Sequence, residues 1–256
     1  MNRITRVFDE SRRSGRKVLV GYLTAGDPDV KTSEKNVRTA LENGVDVLEL
    51  GVPFSDPTAD GPIIQEASHR ALAGGMDLKK VLAMVARLRR DFDQPIVLFG
   101  YANPFFRHGY AALSREAAKA GADGLLVVDL PFEEKEELAR HLRHHGLFYI
   151  PLIAPTTPRA RATGILRDAE GFVYYIMVRG VTGIRKEVSA DLGTHVRRLR
   201  ACTRLPIAVG FGVSSGRQAR AAGQSVDGVV VGSALVQAAA RGNLRKLVRE
   251  LRAALG

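Results

Sequence analysis

Residues 48–62 read "LELGVPFSDPTADGP". The stretch starts with leucines and a valine on both sides of one glutamate, then turns to proline, serine, aspartate and glycine. A strand buried on both faces is apolar without alternation, and the second half carries the residues of a turn. The stretch is therefore a buried strand running out into a loop. Within it, side chains alternate, so Val47 and Glu49 share one face while Leu48 and Leu50 share the other. A carboxylate among aliphatic neighbours costs free energy unless it finds a partner or takes up a proton. Glu49 thus needs a reason to be there, as do Asp56 and Asp60 just beyond it.

The same pattern recurs along the chain. Counting the opening stretch, eight runs read as buried strands: "KVLVGYL" from 17, "DVLELGV" from 46, "PIVLFGY" from 95, "GLLVVDL" from 124, "FYIPLIA" from 148, "FVYYIMV" from 172, "PIAVGFG" from 206 and "GVVVGSA" from 228. Between them lie segments of helical spacing, such as "EEKEELARHLRHHG" at 133–146, where Leu138 and Leu142 share a face and Gly146 stops the helix. Further helices are expected near 33–43, 64–91, 111–120, 158–169, 191–202, 215–222 and 243–254. The N-terminal "MNRITRVFDESRRSGR" predicts one more, short and amphipathic, through Ile4, Val7 and Phe8. Alternating strands and helices build a parallel sheet, open or closed. Eight such units in 256 residues fit a closed (β/α)8 TIM barrel, and no Gly-x-Gly-x-x-Gly turn opens a first helix as a dinucleotide site requires. No Pro/Gly/Ser-rich linker divides the chain, so residues 1–256 are expected to form a single α/β domain with an extra N-terminal helix.

Bulk properties narrow the classes. The composition is that of an ordinary globular protein, 45% hydrophobic and 25% charged. The longest nearly apolar run, "GVVVGSALVQAAA" at 228–240, is too short to span a bilayer, and the N-terminus lacks the apolar core of a secretory signal. Cys202 is the one cysteine, which excludes an internal disulfide, and no Cys/His cluster has structural-zinc spacing. A cytoplasmic location is expected. The formal charge of +11 raises the question of a polyanionic partner. Its arginines are scattered over separate expected helices, at 87–90, 197–200 and 241–252, and form no stripe interleaved with aromatics, so nucleic acid is not the expected partner.

In a barrel the residues just past the C-terminal ends of the strands share one mouth, where such folds place their chemistry. The first strand delivers Tyr22 and Thr24, the second Glu49 with Asp56 and Asp60, the third Tyr101 and the fourth Asp129. The sixth delivers Tyr174 and "RGVTGI", the seventh "GFGVSS" and the eighth "GSALV". The last three are glycine-rich turns, and the loops after strands seven and eight are the usual phosphate grip of this architecture. Gly212, Gly232 and Ser233 fit that task, with Gly183 closing over them. Glu49 is either a structural carboxylate paired with a buried base or an unpaired one with a raised pKa, suited to proton transfer. No lysine or arginine lies inside the strands near the mouth, which favours the second reading. Asp56 and Asp60 are also ordinary turn residues beside proline and glycine. Tyr22, Tyr101, Tyr174 and Phe211 are either plain core or the walls of a pocket for a flat apolar group. The residues alone thus reach a phosphate-binding barrel enzyme with one or two acid/base carboxylates, and no particular substrate.

The second-strand stretch carries more. Its Leu-Glu-x-Gly-x-Pro-x-Ser-Asp-Pro followed by Ala-Asp-Gly-Pro resembles the signature of tryptophan synthase α subunits. Other matches follow in order: "YLTAGDP" at 22–28, "GYANP" at 100–104, "VVDLP" at 127–131, "GVTG" at 180–183, "GFGVSS" at 210–215 and "GSALV" at 232–236. The resemblance implies a lyase that cleaves indole-3-glycerol phosphate to indole and glyceraldehyde 3-phosphate, with no metal or organic cofactor of its own. It implies that Glu49 is the acid/base for the ring carbon and the glycerol hydroxyl, and that Asp60 binds the indole N–H, with Thr182 holding Asp60 in place. Tyr22, Tyr101 and Tyr174 would line the indole pocket, with Asp129 and Phe211 among the residues around the substrate. Gly183, Gly212, Gly232 and Ser233 would grip the phosphate. It also implies a pyridoxal-phosphate β subunit as partner in an αββα complex, with Pro53 and Asp56 on the contact. Two departures from the family pattern fall in the loops after the second and sixth strands: Met177-Val178-Arg179 before "GVTG", and Thr58 in place of the usual leucine. A free-standing indole-releasing lyase is the alternative they leave open.

Overall fold

The computed structural model describes residues 1–177, 187–210 and 212–256, with the side chains of 187–191 left aside. Nine strand segments, all parallel, run in the order β5-β4-β3-β2-β1-β9-β8-β7-β6. They are β1 (Val18–Thr24), β2 (Val47–Gly51), β3 (Ile96–Gly100), β4 (Gly124–Val127), β5 (Phe148–Tyr149), β6 (Leu152–Ile153), β7 (Val173–Ile176), β8 (Ile207–Gly210) and β9 (Gly228–Val231). The two ends of that order, β5 and β6, are halves of one stave. Ile150 N donates to Leu125 O (2.8 Å) on one side, and Tyr174 N donates to Pro151 O (2.9 Å) on the other. Pro151 has no N–H to offer, so the stave is interrupted there as it passes its pairing from β4 to β7. Eight staves close into the expected barrel.

Two layers of core follow from the alternation. Val18, Val20, Val47, Val97, Leu126 and Val230 point inward and pack on one another, whereas Leu48, Leu50, Leu98 and Leu125 point outward against the helices. Helix α1 (Arg3–Ser14) plugs the lower end, with Ile4 and Phe8 inside the barrel and the Phe8 and Phe172 rings 5.3 Å apart. The outer helices are α2 (Val30–Glu42), α3 (Pro62–Ala73), α4 (Leu78–Leu88), α5 (Ala102–His108), α6 (Tyr110–Ala120), α7 (Lys135–His144), α8 (Arg159–Leu166), α9 (Glu187–Arg200), α10 (Gly216–Gly223), α11 (Ser233–Ala240) and α12 (Leu244–Ala254). The helix expected over 64–91 is two. Gly75 takes φ +74° and Asp77 caps the N–H of Lys80, so the chain stops and restarts inside a periodic pattern. Helices α5 and α11 are additions to the sequence reading. Proline inside α5 and the small apolar residues of α11 hide their helical period.

At the lower rim one device is used three times. Asp46, Asp123 and Asp227, each just before a strand, accept from the backbone N–H of Leu19, Ile96 and Ile207 on the neighbouring stave, each at 2.8 Å. An arginine then meets each carboxylate: Arg252 and Arg16 on Asp46, Arg89 and Arg3 on Asp123, Arg200 on Asp227. Part of the basic surplus is thereby spent on tying the staves together. Removing Asp123 leaves the Ile96 N–H unpaired, while Arg89 keeps the carbonyls of Gly121, Phe92 and Gln94. Asp123→Ala is therefore expected to destabilise the fold by about 2 kcal/mol, read as a lower urea midpoint at unchanged slope.

Candidate active site

Strand β2 sets Glu49 inside the barrel, in register with Tyr22 of β1 and Val97 of β3. It is fully buried, and neither carboxylate oxygen has a hydrogen-bond partner among the described residues. Burial alone pushes its pKa up to about 8. The structure therefore supports the unpaired reading of Glu49, and the paired one finds no base among the described residues.

Two further rings stand beside it. Tyr22 packs edge-on to Phe99 at 5.1 Å and 74°, and its hydroxyl lies 3.3 Å from Thr24 Oγ1. Tyr174 on β7 faces the same interior. Burial raises the pKa of both phenols, and the carboxylates of Asp60 and Glu49 raise them further, so both stay neutral donors. Neighbouring strands make room for these rings. A Cβ on Gly51 would lie 2.3 Å from the Tyr22 hydroxyl, and one on Gly210 would lie 2.8 Å from that of Tyr174. Both glycines sit inside strands, where the missing side chain marks a close approach. Gly51, Gly210 and Phe99 went unnamed as site residues in the sequence reading. A glycine within an otherwise apolar run was the available signal.

Asp60 sits at the end of the loop that follows β2. The Tyr101 hydroxyl donates to Asp60 Oδ2 at 2.9 Å and accepts from the N–H of Ala59 at 3.0 Å. Burial raises the Asp60 pKa and the Tyr101 hydrogen bond opposes that rise. Tyr101 therefore does more than line a wall, since it aims the carboxylate. Phe54 stacks on it at 5.2 Å and 33°. Pro53 is buried at the base of this loop, and Asp56 is exposed, accepting from the Ser55 hydroxyl at 2.5 Å. Asp129 accepts from the N–H of Ala102 at 2.7 Å, which holds the start of α5 at the rim.

The two glycine-rich turns differ. The first turn of α10 is satisfied from within, by Ser215 on Gln218 N, Glu250 on Gly216 N and Gln218 on Ser214 N. Helix α11 begins at Ser233 with Gly232 as its cap and no side-chain cap bond. Its N-terminus keeps backbone donors for an anion. A Cβ on Gly232 would come to 3.6 Å from Tyr22 and 3.7 Å from Ile64, so this turn adjoins the aromatic pocket. Gly212, exposed, precedes α10. Thr182, Gly183 and Phe211, together with Val178 and Arg179, lie outside the described residues. A separate cavity of about 220 Å³ opens outside the barrel, lined by Phe132, Lys135, Tyr149 and Arg161. Neither Glu49 nor Asp60 lines it.

Known proteins resemble this chain over nearly its whole length. A family model described as tryptophan synthase alpha chain matches residues 8–254. The tryptophan synthase alpha chain of Laribacter hongkongensis is 49% identical over 238 residues, covering 93% of this chain and 90% of its own. That of Geobacter sulfurreducens is 47% identical over 251 residues, covering 98% and 95%. Among solved structures, tryptophan synthase from M. tuberculosis superposes with a TM-score of 0.92 at 36% identity, with 100% of each chain covered. The alpha subunit from Legionella pneumophila gives 0.91 at 36% identity, covering 100% of this chain and 98% of that one.

Proposed function

Because this chain belongs to the tryptophan synthase alpha chain family, we propose that the mouth of its barrel cleaves indole-3-glycerol phosphate to indole and glyceraldehyde 3-phosphate, with Glu49 and Asp60 as the catalytic pair. The observation that carries this reading is Glu49, fully buried with both oxygens unpartnered among the described residues. The reaction breaks one carbon–carbon bond and moves one proton, from the glycerol hydroxyl next to the ring to the ring carbon. A single group that gives a proton and takes one back completes that cycle unchanged. With its pKa near 8, Glu49 starts protonated at neutral pH and becomes a strong base once it has given its proton in a dry site.

Protonating the ring carbon places positive charge on the indole nitrogen. Asp60, aimed by Tyr101, supplies the opposing carboxylate at the N–H. Tyr22, Tyr174 and Phe99 form a flat apolar slot for the ring, and the open start of α11 at Gly232 and Ser233 takes the phosphate. In this reading Gly212, Gly183, Phe211 and Asp129 complete the substrate contacts, and Thr182 holds Asp60. The chain works as one domain, residues 1–256, in the cytoplasm. No helix among the described residues is long and apolar enough to cross a membrane. The pyridoxal phosphate of the complete synthase belongs to a β subunit, met through Pro53 and Asp56 in an αββα assembly, and the alpha reaction itself takes no cofactor.

The test is direct. Purified chain is incubated with indole-3-glycerol phosphate, with and without a tryptophan synthase β subunit, and indole is measured. Slow release that rises strongly with the partner is expected. No release under either condition overturns the assignment, and fast release by the chain alone overturns the dependence on a partner.

A further inference from the structure

The loop that presents Asp60 is held from two sides. Tyr101 holds the inner side, as described above. On the outer side stands α3, whose Gln65 and His69, one turn apart, both reach back to the loop's carbonyls. Gln65 Nε2 donates to Asp60 O at 2.8 Å and to Pro57 O at 3.3 Å. His69 Nε2 lies 3.2 Å from Ser55 O, where a carbonyl oxygen requires the ring nitrogen to be the donor. Three carbonyls of the six-residue segment 55–60 are thus taken by one helix face.

That helix is itself fixed. Ala67 and Ala71 are fully buried against the barrel. Arg70, next to His69, forms a two-pronged pair with Asp27 in the loop after β1, at 2.7 and 3.1 Å. Within the loop only two short backbone turns, Thr58 N to Asp56 O and Asp60 N to Pro57 O, hold the chain to itself. Pro53 and Pro57 bring no N–H, and the Ala59 N–H goes to the Tyr101 hydroxyl instead. The position of the Asp60 carboxylate is therefore set by α3 as much as by the loop.

We propose that Gln65 and His69 are positioning residues for the cleavage reaction, forming a clamp on α3 that holds Ser55–Asp60 so that the Asp60 carboxylate faces the indole ring. This inference rests on the assignment of Asp60 above and adds two residues that act through it. A displaced carboxylate weakens stabilisation of charge that appears only in the transition state, so kcat falls while binding of the ground state changes little.

Gln65→Leu is expected to lower kcat by about tenfold and to change KM by less than about threefold. Its dissociation constant for indole-3-propanol phosphate, an analogue with no hydroxyl to drive cleavage, should stay within about threefold of the parent. Gln65→Met, of matching length and without a donor, serves as a second variant if the leucine disturbs folding. Amide hydrogen exchange over residues 55–60 should quicken in both at an unchanged thermal midpoint. His69→Ala should lose activity in the same sense, and His69→Gln, which restores an N–H donor, should recover most of it. In an Asp60→Asn background, Gln65→Leu should add no further loss, because the clamp acts only through that carboxylate. Undiminished kcat in Gln65→Leu and Gln65→Met, beside a strongly impaired Asp60→Asn, overturns the clamp and leaves the function standing. Undiminished kcat in Asp60→Asn overturns both.

Discussion

Replacing Glu49 with glutamine is expected to lower indole formation by at least about a hundredfold, the scale of losing a general acid/base. Glutamine keeps the size and shape of the side chain and removes its proton chemistry, so the barrel is retained and substrate still binds. The same variant carries a second signature in stability. The carboxyl has a folded pKa of about 8, raised from 4.5 by burial. Well below 4.5 the group is protonated in both folded and unfolded chains, and its titration costs nothing. As pH rises above 4.5 the unfolded chain sheds the proton while the folded chain keeps it, so the folded state loses relative stability. That loss grows until pH passes about 8, where both forms are ionised, and is on the order of 5 kcal/mol for a shift of this size. Glu49→Gln should therefore gain stability over the parent as pH goes from 5 to 8, measured by urea unfolding at each pH. A variant that is inactive, folded and relatively more stable at pH 8 marks a residue kept for chemistry. Activity above about a tenth of the parent would remove Glu49 from the mechanism. The parent's kcat/KM should also fall as pH rises through about 8, since the starting form of Glu49 carries the proton.

The second large effect belongs to Asp60. In the proposed role, Asp60→Asn removes the negative charge that would face the indole nitrogen while leaving an oxygen for Tyr101 to bond, and about a hundredfold loss of kcat is expected. The analogue indole-3-propanol phosphate, which develops no ring charge, should bind the variant within about tenfold of the parent. An equal fall in analogue affinity and in kcat/KM would instead make Asp60 a ground-state binding residue, and the charge-stabilising role would fail. Burial raises the Asp60 pKa and Tyr101 restrains it, so Tyr101 helps to keep the carboxylate ionised where it is needed.

How much of this was legible in advance differs from part to part. The eight staves were readable because a strand buried on both faces must be apolar throughout, and that constraint is written locally. The inward direction of Glu49 followed from a period of two, and its isolation from the lack of any base in the strands near the mouth. The break between α3 and α4 and the presence of α5 and α11 were not readable. A glycine pair with a capping aspartate, a helix containing proline and a helix of small residues all blur the helical period. At the site, the roles of Gly51 and Gly210 depend on rings carried by a different strand, and no local pattern records that relation.

The order of the elements and the inward direction of Glu49 are properties of the chain's own pattern, since each rests on burial and periodicity over a few residues, and closure followed from the count of eight units in a chain of this length. Three matters required residues far apart in sequence to meet. Tyr101 reaches across 41 positions to aim Asp60, Asp46 gathers Arg252 from the far end of the chain, and β5 and β6 complete one stave only because their partners come from opposite ends of the sheet order. The physical reason is common to all three. A side chain's reactivity is set by what surrounds it in a dry interior, and closure of the barrel decides those surroundings.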